Sequence, residues 1–198
     1  MSIRLFNNSG GYIDLNAGGD GTAANTFTLP AETGTIVTTG STASVSQAML
    51  ASGVAGTGPA FKAYRGTSAF SFSSGSWTKI EFQTEEYDTA SCYDPTTNYR
   101  FTPNVAGYYI VSIGVNLVGS SSPTVSGIGV YKNGDAFRYG PVNYFTVAST
   151  TTITGTSIVY LNGSTDYIEA YVYSNGTSPS VVNAQNQSVF EACLIRAA

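Results

Sequence analysis

Glu81, Glu85, Glu86 and Asp88 form the one acidic cluster in this chain. Two opposed carboxylates can cleave a glycosidic bond, one as acid and one as nucleophile or base, so a glycan-cleaving surface could in principle be built from such residues. Asp88 and Asp94 could instead hold calcium, although no EF-hand spacing surrounds them. Other chemistries lack their parts. The chain has no histidine, which removes Ser-His-Asp and Cys-His arrangements. Its two cysteines, Cys92 and Cys193, stand far apart without CxxC spacing and read as isolated buried thiols rather than zinc ligands. "GSSSPTVSG" and "GDGTAAN" lack the lysine and the strand-to-helix setting of a phosphate-binding loop. The expectation is a protein that is not an enzyme and needs no cofactor, with calcium as the alternative.

What must carry these residues is set by composition. Of 198 residues, 42% are hydrophobic and 13% aromatic, but only 10% are charged, against a usual quarter. Ser, Thr, Asn, Gly and Tyr hydroxyls must then meet water, which suits many strands and turns rather than amphipathic helices with charged faces. With 8 Lys and Arg against 12 Asp and Glu, net charge −4, no basic stripe exists for nucleic acid. No apolar run is long enough to span a bilayer. The start "MSIRLFNNSGGYIDLN" lacks the pattern of a secretory signal, so synthesis without one is expected.

The clearest structural signal is "VAGYYIVSIGVNLVG", Val105 to Gly119. Tyr109, Val111, Ile113, Val115 and Leu117 alternate with Tyr108, Ile110, Ser112, Gly114 and Asn116, the period of a strand with one buried face. The second face begins apolar and becomes small or polar, so something is expected to cover it in part. "DYIEAYVYS" repeats the pattern, with Ile168, Ala170 and Val172 inward and Tyr171 and Tyr173 on the half-apolar side.

Three regions follow from composition. Residues 1–40 carry short strand-like pieces, "GYIDL", "TFTLP" and "TIVTT", with too little apolar surface to close a core, and read as an extended arm. Residues 41–58 hold a possible capping box at Ser44 and Gln47, one or two helical turns over 44–51, and a linker "GVAGTGP". From residue 59 to 198, strand-like segments recur without intervening helices, which means an all-β sandwich or jelly roll. Asn162-Gly163 and Asn175-Gly176 are turn dipeptides.

The order of motifs in the third region resembles the C1q-like head of the C1q and tumour-necrosis-factor superfamily. "PAFKAY" at Pro59, "TKIEF" at Thr78, "YDPTTNYRFTPNVAGYYIVS" from Tyr93 to Ser112, "YKNG" at Tyr131, "VYLNGSTDYIEAYV" from Val159 and a closing "SVFEACLI" carry it. Asn98 stands where that family usually has Gly, and Ala192-Cys193 replaces a Gly-aromatic pair. The arm, "GYIDLNAGGDGTAANTFTLPAETGTIVTT", resembles a segment recurrent in bacteriophage fibre and virion proteins.

The resemblance implies a C1q/TNF-like jelly-roll β-sandwich that forms a homotrimer, with Tyr108, Ile110, Tyr171 and Tyr173 between subunits. It implies a phage structural protein on the virion surface, made in the host cytoplasm. Residues 1–40 would bind other virion proteins, and the head would attach to host-surface glycan as a tail fibre or receptor-binding tip. A capsid decoration or head-fibre protein is the alternative, and a free bacterial C1q-like lectin or adhesin a further one. Counting antiparallel strands back from the C-terminus places the connections near 118–124, 148–150 and 174–187 at one end. Gly119, Ser120, Ser121, Asn175, Thr177, Ser178, Asn183 and Gln185 are therefore the expected apical binding residues.

Overall fold

The computed structural model describes residues 2–6, 12–16, 58–119, 125–143 and 150–198. The chain falls into two units, Met1–Ser44 and Val45–Ala198. In the first, β1 (Ser2–Phe6) and β2 (Tyr12–Asn16) form an antiparallel pair, Ser2 opposite Asn16 and Phe6 opposite Tyr12. The remaining arm pieces and the helical turns expected at 44–51 lie outside the described residues.

The second unit is two antiparallel sheets. One is centred on β9 (Ala106–Val118). β12 (Thr151–Asn162) pairs with β9 along its length, so β15 (Val189–Ala197) and the short β14 (Ser180–Val181) share the other edge. β3 (Ala60–Tyr64) and β6 (Thr84–Asp88) extend the sheet beyond β15, and β4 (Phe70–Ser71) pairs with β14. The other sheet is centred on β13 (Ile168–Ser174). β10 (Ser126–Lys132) and β11 (Asp135–Asn143) lie to one side of it. On its other side are β5 (Thr78–Lys79) and β8 (Arg100–Phe101), the latter paired with β7 (Tyr93–Asp94). No helix occurs among the described residues.

The alternating stripes make the core. Tyr109, Val111, Ile113, Val115 and Leu117 face Ile128, Val130, Ile168, Ala170 and Val172, all buried. Phe61 anchors its aromatic centre, with ring centroids 4.5 Å from Phe101, 4.7 Å from Tyr93 and 5.0 Å from Phe190. The two core tyrosines keep their hydroxyls satisfied. Tyr109 donates to the Val105 carbonyl at 2.7 Å and Tyr93 to the Phe82 carbonyl at 2.8 Å. Burial pushes both phenols well above the ordinary range.

Two segments depart from their sequence pattern. "TKIEFQ" is one strand in the sequence pattern, but its ladder on β13 is short: Thr78 and Lys79 pair there, the Ile80 amide donates to the Ala170 carbonyl at 2.9 Å, and the Ile80 and Phe82 side chains enter the core. The acidic cluster, considered above only for its chemistry, is largely β6, an edge strand paired with β3. Charge on an edge strand blunts its capacity to pair with another chain, and "TEEYD", with Tyr87 as its one apolar residue, has the polarity of a loop and no strand alternation. Arg65 is another inward-facing surprise, 4% exposed at the end of β3, donating to the Glu81 and Ser68 carbonyls.

The register fixes two ends. Ser126 opposes both Ser174 and Asn143, Thr151 opposes Leu117 and Ser180 opposes Val118, so the ends of six strands, β9 to β14, meet at what is here the apex. Asn162 opposite Ala106 and Lys132 opposite Asp135 and Ile168 define the base, where β15 also ends. Asn133 and Gly134, with φ of 55° and 86°, make the β10–β11 hairpin turn.

Candidate functional site

Of the carboxylates that could have been catalytic or metal-binding, Asp94 and Asp88 hold loops. Asp94 accepts the Thr96, Thr97 and Asn98 amides at 3.0, 2.9 and 3.0 Å, and these bonds hold its carboxyl well below the usual range. Asp88 accepts the Ala90 and Tyr93 amides at 3.1 and 2.7 Å. Glu86 pairs with Lys62 at 2.8 Å. Burial, then the charges of Asp88 and Asp94, raises Glu85. Among the described residues no group of three His, Cys, Asp or Glu is placed to hold a metal. Cys92 is buried, with its thiol pushed up by burial, whereas Cys193 is exposed, and both are free.

The expected interface residues divide between the two sheets. Tyr108 and Ile110 lie on the outer face of β9, 44% and 37% exposed. Cross-strand register sets Tyr160 opposite Tyr108 and Ile158 opposite Ile110, and both are exposed, Ile158 by 57%. Tyr108 and Tyr160 rings meet at 5.6 Å. Ile195 on β15 and Tyr87 on β6 add to the exposed apolar surface of this sheet. A groove of about 390 Å³ crosses the same face between Tyr87, Ile110, Glu191 and Cys193. The sequence reading missed Ile158 and Tyr160, although "TSIVYLN" has bulky residues at every position from Ile158 to Leu161 and so had the signal of a strand apolar on both faces.

Tyr171 and Tyr173 face outward from β13, in the other sheet. Each is half-buried, with a ring of the same chain against it. Tyr171 stacks on Tyr131 at 3.7 Å and 15°, and Tyr173 lies 5.5 Å from Trp77, which itself stacks on Tyr139 at 4.6 Å and 24°. Trp77 was not anticipated as part of any site.

The expected apical residues are also divided. Gly119 follows β9 at the apex, and Asn175, Thr177 and Ser178 follow β13 there. Asn175 Oδ1 accepts the Val125 amide at 2.8 Å, tying two connections together, and Ser178 holds φ of 50°. Asn183 and Gln185 are exposed but lie lower, in the excursion between β14 and β15, where the Val182 amide bonds the Asn116 carbonyl. Ser120 and Ser121 lie outside the described residues.

No family model matches this chain, and no curated protein matches it. Solved structures do share its fold. Murine APRIL in a crystal at pH 5.0 aligns with a TM-score of 0.53 at 10% identity, over 70% of this chain and 99% of that one. The Eiger TNF of S. frugiperda aligns with 0.53 at 12% identity, over 71% and 95%. At such identities the likeness establishes fold alone: a TNF/C1q-like jelly-roll sandwich.

Proposed function

We propose that this chain is a non-enzymatic structural protein of a bacteriophage particle, a homotrimeric knob fastened by residues 1–40 and displaying its jelly-roll head for attachment to host-surface glycan. The observation that carries self-association is the outer face of the β9 sheet, where Tyr108, Ile110, Ile158, Tyr160 and Ile195 are each 37% to 57% exposed. Apolar residues scattered singly on a surface are ordinary, but a contiguous group marks an interaction face. Closure of three copies around an axis requires a second, different patch on each copy. The open edge of the sandwich offers one. There β11 and β12 flank a cleft of about 520 Å³ floored by Ile113 and Ile128.

The virion setting is supported by the arm's sequence, which resembles segments of phage fibres. The base of the head is the end at which β3 begins and β15 finishes, leaving the apex for outward display. The test is to tag the chain and image purified particles from the cells that make it. Tag density at fixed positions on the particle surface is expected, on the tail for a fibre or tip and on the shell for a decoration protein. Removal of residues 1–40 is expected to abolish it. A tag found only in the particle-free soluble fraction would refute the reading.

A further inference from the structure

The outer face of the β13 sheet is built differently from that of the β9 sheet. Reading across the register, Tyr173 lies beside Gly127 and Val142, Tyr171 beside Gly129 and Tyr139, and Glu169 beside Tyr131. Gly127 and Gly129 leave a lane on β10 that Trp77 and Tyr139 fill. A Cβ added at Gly129 would come within 3.3 Å of Trp77 Cζ3 and Tyr139 Cδ1 and 3.4 Å of Tyr131 Cε2. Five aromatic rings are thus gathered on a solvent-facing sheet surface. The core does not need them, because Ile128, Val130, Ile168, Ala170 and Val172 already complete the inner face.

At one side of this group lies a polar anchor. Lys79 donates to Glu169 Oε1 at 3.0 Å, and Glu169 is 5% exposed. Arg100, opposite Glu169 in the ladder, sits 4.2 Å over the Tyr167 ring.

We propose that this surface binds the pyranose rings of a neutral polysaccharide, with Trp77, Tyr139, Tyr171 and Tyr173 supplying aromatic contact and Lys79 and Glu169 supplying hydrogen bonds. A pyranose has an apolar C–H face and a rim of hydroxyls. It is matched by aromatic side chains that carry their own polar handles, with a few fixed polar groups at the margin. The other occupants fit less well. A nucleic acid needs clustered unpaired cations, whereas Lys79 is neutralised by Glu169 and the whole chain has 8 Lys and Arg. A second copy is better served by the β9 sheet face, whose exposed isoleucines lack hydroxyls. The proposal deepens the attachment reading above and takes its biological setting from it, but its chemistry can be tested without particles.

Trp77 is the only tryptophan in the chain, so its emission reports this surface alone. The full chain is titrated with soluble galactomannan, glucomannan and β-1,3-glucan. A saturable change in tryptophan emission is expected with at least one of them. Tyr139→Ala should raise its Kd about tenfold, while Ser68→Ala, at an exposed position between β3 and β4 of the other sheet, should leave it unchanged. No emission change with any of the three in the unaltered chain would overturn the proposal. So would equal affinity in Tyr139→Ala, or a loss with Ser178→Ala alone, which would move the contact to the apical loops. Failure here with surface-bound tag on particles would leave the knob standing without this site; a working site on a protein absent from particles would do the reverse.

Discussion

Ile158→Asp separates an apolar face that is merely exposed from one that is shared between copies. Full burial of an isoleucine side chain is worth about 1.5–3 kcal/mol, and Ile158 is 57% exposed in the single chain. Association would therefore gain roughly 1–1.5 kcal/mol from it in each copy. An aspartate at that position in the assembly removes this gain and adds several kcal/mol for an unpaired carboxylate taken out of water. Summed over three copies the penalty is on the order of 10 kcal/mol, about seven powers of ten in the association constant. In the free chain the same carboxylate remains hydrated, and only a strand-propensity cost of about 1 kcal/mol or less applies. Light scattering at micromolar concentration should return about three times the 20.7 kDa chain mass for the parent and one chain mass for the variant. The denaturation midpoint of the monomeric variant should show an intact fold. Tyr171→Asp, in the opposite sheet, should unstack Tyr131 and keep the assembly. A monomeric parent, or an Ile158→Asp protein of unchanged mass, would show that this face is not shared between copies.

Gly163→Ala should destabilise the head by roughly 3 kcal/mol, because Gly163 has φ of 73° and an added Cβ would lie 2.2 Å from the Ala106 amide nitrogen. Gly75→Ala, at φ of 78° with nothing within 4 Å, should cost only about 1 kcal/mol; equal losses in chemical denaturation would count against the close approach. In an alkaline titration of tyrosinate absorbance, the 14 tyrosines should not ionise together. Burial, with a hydrogen bond to Tyr139, pushes Tyr131 up to about 12, and burial carries Tyr93 and Tyr109 further. Since these folded-state values lie above the unfolded value near 10, the stability they contribute is complete below about pH 10 and is lost as pH rises through the folded values. Ionisation of Tyr93 and Tyr109 should thus coincide with unfolding, and a single titration of all tyrosines near pH 10 with the fold intact would contradict it.

The inner faces of the sandwich are legible in the chain's alternation alone. Strand periodicity is a local property, and the stripes Tyr109 to Leu117 and Ile168 to Val172 could be read from alternation because only a half-buried strand requires it. The ends of the long strands β9, β10, β12 and β13 were equally legible, since each antiparallel connection reverses direction whatever the partners are, but β14 breaks the connection expected over 174–187 and sets Asn183 and Gln185 lower. The outer faces were not. Tyr108 and Tyr171 look alike in sequence, each a bulky residue on the less apolar side of its strand, yet one stays exposed beside Tyr160 and the other is stacked on Tyr131. What lies over an outward side chain depends on which strand pairs beside it, and that pairing joins segments distant in the chain. Trp77 could take its place in the aromatic group only after β5 had docked on β13 and Gly127 and Gly129 had been set in the neighbouring lane. Tertiary pairing likewise made the acidic run the edge strand β6, because a polar segment without alternation becomes a strand only when another strand presents it with a ladder to join.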